Sequence, residues 1–118
     1  VGQKNGFADV SHALNAFAEV RDWEQFHSPK NLAMALNVEA GELLEHFQWL
    51  TEEASTELGP DKLDEIAKEI ADVQIYLIRL ADQLGIDILA ATEAKMAENE
   101  KKYPADAVRG SAKKYTEY

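Results

Sequence analysis

The chain has 118 residues, enough for one domain with a moderate core and too few for two. Its apolar content of 46% excludes global disorder, and a formal net charge of −10 with no basic stripe excludes a binder of bare nucleic acid or anionic lipid. The absence of cysteine excludes a disulfide framework and a thiolate metal site.

Val1 to Gly6 show no basic region followed by an apolar run, so no signal peptide is read there. Four helices follow. The first runs from Phe7 or Ser11 to about Gln25, capped by Asp9 or Ser11, with Leu14, Phe17 and Val20 as its apolar stripe. Ser28-Pro29 starts the second, which extends to about Leu50. Thr51 to Pro60 reads as a polar connection punctuated by Gly59-Pro60. The third helix spans about Asp61 to Leu84 and stops at Gly85. Asp87 caps the fourth, which reaches about Lys102 before Pro104. The tail, Ala105 to Tyr118, is short and charged, either extended or docked on a partner. No strand and no apolar run of bilayer length is evident. The expectation is a single all-α domain over residues 1–118, an antiparallel four-helix bundle-like fold, soluble and cytoplasmic, with neither nucleic-acid nor membrane partners.

Helical wheels locate the chemistry. In the second helix Leu32, Leu36, Ala40, Leu43, Phe47 and Leu50 form an apolar arc, flanked by a stripe of Glu39, Glu42, His46 and Trp49. In the third, Leu63, Ile66, Ile70, Val73, Leu77, Leu80 and Leu84 form the arc, flanked in the same sense by Glu65, Glu69, Asp72 and Tyr76. Antiparallel packing brings such stripes to the same side of the pair. The heights match too, so Glu39 and Glu42 face Glu69 and Asp72. Taken singly, each pair is more often a solvated face; at equal height beside a core, the two pairs favour a shared site. Pooled carboxylates repel one another, and a hard divalent cation relieves them. All-oxygen ligation favours Mg²⁺, with Mn²⁺ or Ca²⁺ as substitutes, and Mg²⁺ recruits phosphates. A di-iron bundle site is disfavoured: it needs E-x-x-H on two helices, whereas His46 follows Glu42 by four residues.

The stretches RDWEQFHSPKNLAMALNVEAGELLEHFQWL, KEIADVQIYLIRLADQLGID, KMAENEKKYP and KKYTEY together resemble the MazG-like all-α nucleoside triphosphate pyrophosphohydrolases, most closely their dCTP pyrophosphatase branch. The resemblance implies hydrolysis between the α- and β-phosphates, with Glu39, Glu42, Glu69 and Asp72 as metal ligands and Glu42 or Glu39 also serving the attacking water. It further implies that Trp23 and Trp49 line the base pocket, that Tyr76 lies near the substrate, and that Lys95 and Asn99 on the fourth helix contact the nucleotide. Read from the residues alone, Trp23, Trp49 and Tyr76 fit core as well as site, and Lys95 and Asn99 fit a solvated face. His27 and His46 read as surface or hydrogen-bonded structural residues. Relatives in the branch have a histidine nine residues before the tryptophan of RDW; this chain has Leu14, with His12 two positions away. The resemblance also implies homodimers or homotetramers. The rival classes are a non-catalytic acidic helical interaction protein and a nucleotide sensor without turnover.

Overall fold

Serine ahead of proline is the clearest helix start in the chain. Ser28 is extended and its hydroxyl accepts the Asn31 N–H at 3.1 Å, with Pro29 at the first helical position. The computed structural model describes residues 6–111. Its elements are α1 (Phe7–Val20), a 3₁₀ turn (Glu24–Phe26), α2 (Pro29–Glu45), α3 (Glu52–Ser55), α4 (Pro60–Gln83), α5 (Ile88–Lys102) and α6 (Ala105–Val108). Among the described residues there is no strand, as an all-α fold requires. The reading of the first residues and of the KKYTEY stretch falls outside the described residues.

The helix ends are where local chemistry departs from the wheel. α1 stops at Val20, not near Gln25, because Asp22 adopts φ 54°, a conformation aspartate tolerates better than most residues. The Gln25 amide donates to the Asp22 carbonyl and carboxylate at 3.0 and 2.9 Å, fixing this turn. Neither expected cap serves α1: Gly6 holds the cap position, Asp9 lies in the first turn, and the Ser11 hydroxyl donates to the Asp82 carboxylate. α2 ends at Glu45 and not at Leu50. Thr51 must be extended for its hydroxyl to accept the Ala54 N–H at 3.1 Å, and that cap opens α3 inside the segment expected to be a polar connection. Between them the chain tightens into turns, with the Phe47 N–H donating to the Leu44 carbonyl at 2.9 Å. α4 and α5 match expectation within a residue. Gly85 takes φ 67° after α4, and Asp87 accepts the Ala90 N–H at 3.0 Å.

The chain divides into two compact units, Val1–Gly85 and Ile86–Tyr118. In the first, α4 packs against both α1 and α2. Ser11 pairs with Asp82 and Asn15 with Arg79, so α1 runs antiparallel to α4. On the other side His27 meets Arg79 while Glu39 meets Glu69 and Asp72, so α2 runs antiparallel to α4 as well. Ala18, Leu32, Ile66, Ile78 and Ala81 form the buried core. Each large aliphatic there contributes about 1.5–3 kcal/mol. Leu63, Ile70, Leu77 and Leu84, spaced by seven along α4, remain exposed. In the second unit, α5 carries Glu98 between Lys95 at 3.5 Å and Lys102 at 2.8 Å. The two lysines hold the Glu98 carboxyl below its ordinary range, Lys102 more than Lys95.

Candidate active site

The antiparallel register of α2 and α4 sets Glu39 against Glu69 and Asp72. One carboxylate oxygen from each of the three lies within 4.8 Å of the others. Glu39 Oε2 and Glu69 Oε2 are buried with no hydrogen-bond partner. A buried ionised oxygen without a donor is costly, by about 1–3 kcal/mol or more. Burial, followed by the neighbouring Glu42, Asp72 and Glu69, pushes the Glu39 carboxyl up to about 7. Protonated, Glu39 can donate to Glu42 or Glu69; ionised, it leaves Oε2 an orphan. A hard divalent cation satisfies both orphaned oxygens and cancels the repulsion, so the donor set fits such an ion. Glu42, expected as a fourth equal ligand, stands beside Glu39 but contributes no oxygen to the trio.

A cavity of about 210 Å³ lies further along α4, lined by Leu14, Phe17, Ala18, Trp23, His27, Ile75, Tyr76 and Arg79. Glu69, Asp72, Tyr76 and Arg79 fall within an arc of roughly 80° at 100° per residue, so cavity and carboxylates share one face of α4. Trp23 meets the Phe17 ring edge-on at 5.6 Å and lies 6.3 Å from the His27 ring. Trp23 and Tyr76 thus come together. Trp49 does not join them: it lies past the end of α2 and is 87% exposed, because the turn after Glu45 takes it off the helical stripe. Lys95 and Asn99 belong to the second unit, where Lys95 is held by Glu98 and Asn99 lines a shallow groove with Met96 and Tyr103. His46 occupies the C-terminal cap position of α2.

One charged residue without a role in the sequence analysis lines this cavity. Arg79 is 2% exposed; its Nη1 donates to Asn15 Oδ1 and its Nη2 to His27 Nδ1 at 3.3 Å. The expectation of a hydrogen-bonded His27 holds, but its partner is this buried cation. Burial, and then Arg79, lower the His27 pKa against a smaller opposing effect of Glu24. One signal was available in the sequence: an arginine inside the apolar run IYLIRLA, three residues past Tyr76 on the same stripe.

The fold is all-helical, with Glu39 of α2 set against Glu69 and Asp72 of α4, and the chain belongs to the MazG-like family, whose model matches residues 34–118. It is 43% identical over 111 residues to dCTP pyrophosphatase 1 of Homo sapiens, covering 92% of this chain and 65% of that one. The Bos taurus dCTP pyrophosphatase 1 is 41% identical over 111 residues, covering 92% of this chain and 66% of its own. The chain therefore spans just under two-thirds of the length of these relatives. A crystal structure of a pyrophosphatase from Archaeoglobus fulgidus superposes with a TM-score of 0.79 at 37% identity, covering 88% of this chain and 98% of that one. Among the described residues no helix is long and apolar enough to cross a membrane.

Proposed function

We propose that this protein is a magnesium-dependent nucleoside triphosphate pyrophosphohydrolase that converts dCTP, or a 5-modified dCTP, to the monophosphate and pyrophosphate. The observation that carries this reading is the pair of orphaned buried oxygens of Glu39 and Glu69, beside Asp72 and on the same face of α4 as a cavity of ring size. The names of the dCTP pyrophosphatase relatives and of the archaeal pyrophosphatase support the same chemistry. Mg²⁺, with Mn²⁺ as a substitute, supplies charge neutralisation of the triphosphate and activation of water. Glu39, Glu69 and Asp72 hold the cation, and Glu42 adjoins them. The water oxygen bonds to the α-phosphorus as the bond from that phosphorus to the bridging oxygen breaks. Pyrophosphate leaves, and Glu42 or Glu39 takes the proton. Trp23 and Tyr76 flank the base, Trp23 through its ring face. Lys95 and Asn99 serve the phosphates or polar edge of the nucleotide, and Trp49 serves the base pocket with Trp23.

Self-association as a homodimer or homotetramer has its own support in the exposed heptad stripe of Leu63, Ile70, Leu77 and Leu84. The role is cytoplasmic sanitation of the deoxynucleotide pool. The test is a panel of nucleoside triphosphates with Mg²⁺, assayed for pyrophosphate release. Turnover is expected with dCTP and its 5-methyl and 5-halo forms, and loss of at least about 100-fold in Asp72→Ala, since the metal carries most of the charge stabilisation. Absence of release from every nucleotide, or unchanged turnover in both Glu42→Ala and Asp72→Ala, would remove the hydrolase reading.

A further inference from the structure

The cavity next to the acidic trio is apolar over most of its wall, yet it contains a buried cation that phosphoanhydride hydrolysis does not require. Arg79 cannot shed its proton, and a fully buried guanidinium normally faces a carboxylate. Among the described residues no carboxylate forms an ion pair with it: its partners are the neutral Asn15 and His27, and its Nε–H has none. Two of its five N–H bonds are used, so three remain.

The partners point the same way. Arg79 only donates, so Asn15 must present Oδ1 to it and His27 must present an unprotonated Nδ1. What is left over on each is a donor: the Asn15 amide NH₂ and the His27 Nε2–H. Arg79 and His27, which line the cavity, therefore offer it donors and no free acceptor nitrogen, with Asn15 holding Arg79 from behind. Leu14 adds only methyl groups to the cavity wall. The cavity, at about 210 Å³, is below the roughly 300–1,000 Å³ of pockets that enclose drug-sized ligands, and suits one ring rather than a whole nucleotide.

We infer that Arg79, positioned by Asn15 and His27, is a specificity residue that reads the acceptor edge of a pyrimidine, O2 and N3 of cytosine, and discriminates against a ring carrying N3–H such as thymine or uracil. A donor facing N3–H leaves both groups unpaired inside the cavity, whereas cytosine supplies a lone pair at that point. For a hydrogen bond to a charged group the preference should be about 10- to 100-fold. The identity of the substrate rests on the reading under Proposed function; the ring preference is measured without turnover.

Isothermal titration of dCMP and dTMP into the wild-type protein, Arg79→Met and Arg79→Lys provides the test. Wild type should bind dCMP at least about 10-fold more tightly than dTMP. Arg79→Met should bring the two within about 3-fold, and Arg79→Lys, which keeps the charge but not the fork, should lie between. The ratio of kcat/KM for dCTP and dTTP should move in parallel, mainly through KM. A folded Arg79→Met that keeps the preference, or that weakens both nucleotides equally, overturns the inference, because a purely structural arginine would act equally on both rings. If Arg79→Met does not melt cooperatively, Asn15→Leu is read instead: it removes one of the two acceptors that hold the guanidinium, so the preference for dCMP should fall, and an unchanged ratio overturns the inference equally. Selective dCMP binding by a wild-type protein that hydrolyses nothing would count against the hydrolase reading and for the ring reading.

Discussion

Replacing Glu39 by glutamine should make the metal-free protein more stable, an unusual outcome for a change inside a packed cluster. The Glu39 carboxyl is pushed from its ordinary 4.5 up to about 7, first by burial and then by Glu42, Asp72 and Glu69. The folded protein therefore holds a proton that the unfolded chain has released over that interval. Stability must fall as pH rises from about 4.5 to about 7, and the deficit is complete above it. At full strength this corresponds to about 3 kcal/mol. Glu39 keeps some contact with water, so the effective figure is nearer 1–2 kcal/mol. Glutamine keeps the shape, can donate to Glu69 or Glu42, and carries no charge. At pH 8 in EDTA, Glu39→Gln should thus melt roughly 4–10 °C above wild type, and at pH 4.5 the two should nearly coincide. Adding Mg²⁺ should reverse the order, since the cation raises the melting temperature of the protein that still offers three anionic oxygens. Thermal melts followed by circular dichroism at the two pH values, with and without Mg²⁺, read all four quantities. A Glu39→Gln protein that melts below wild type at pH 8 without metal would refute the argument, as it would mean that the carboxylate is stabilising where it sits.

Two further outcomes separate the roles of neighbouring side chains. Asp72→Asn should weaken Mg²⁺ binding measured by calorimetry at least about 10-fold, whereas Glu42→Gln, outside the oxygen trio, should retain most of the affinity and lose turnover by about 100-fold. Trp49→Ala should change unfolding free energy by less than about 0.5 kcal/mol because the ring is 87% exposed, while Trp23→Ala, which loses its edge contact with Phe17, should raise the KM for dCTP by about 10-fold.

The contrast between Trp23 and Trp49 shows how far one-dimensional reasoning reaches. Both lie in aromatic positions that the family resemblance ties to the base, and on a wheel Trp49 continues the stripe of Glu39 and Glu42. A wheel assumes that the helix continues. The cap that Thr51 makes for α3 ends it first, and that cap is a local hydrogen bond with no periodic signature. Arg79 fails the opposite way: its spacing from Tyr76 was visible, but its burial was not, since burial depends on what α1 and the turn after it lay across α4.

Helical class, the start at Ser28-Pro29, the stop at Gly85, the restart at Asp87 and the acidic pairs at spacing three are properties of adjacent residues, and the sequence determined them unaided. Which of those acids meet is a property of register between helices. Whole apolar faces of α2 and α4 must interdigitate before Glu39 lies against Glu69 and Asp72, with Glu42 left beside them. The same packing closes the cavity between Trp23 and Tyr76 and strands a cation within it. No short stretch of chain encodes that sum of contacts, so only the tertiary structure decided it.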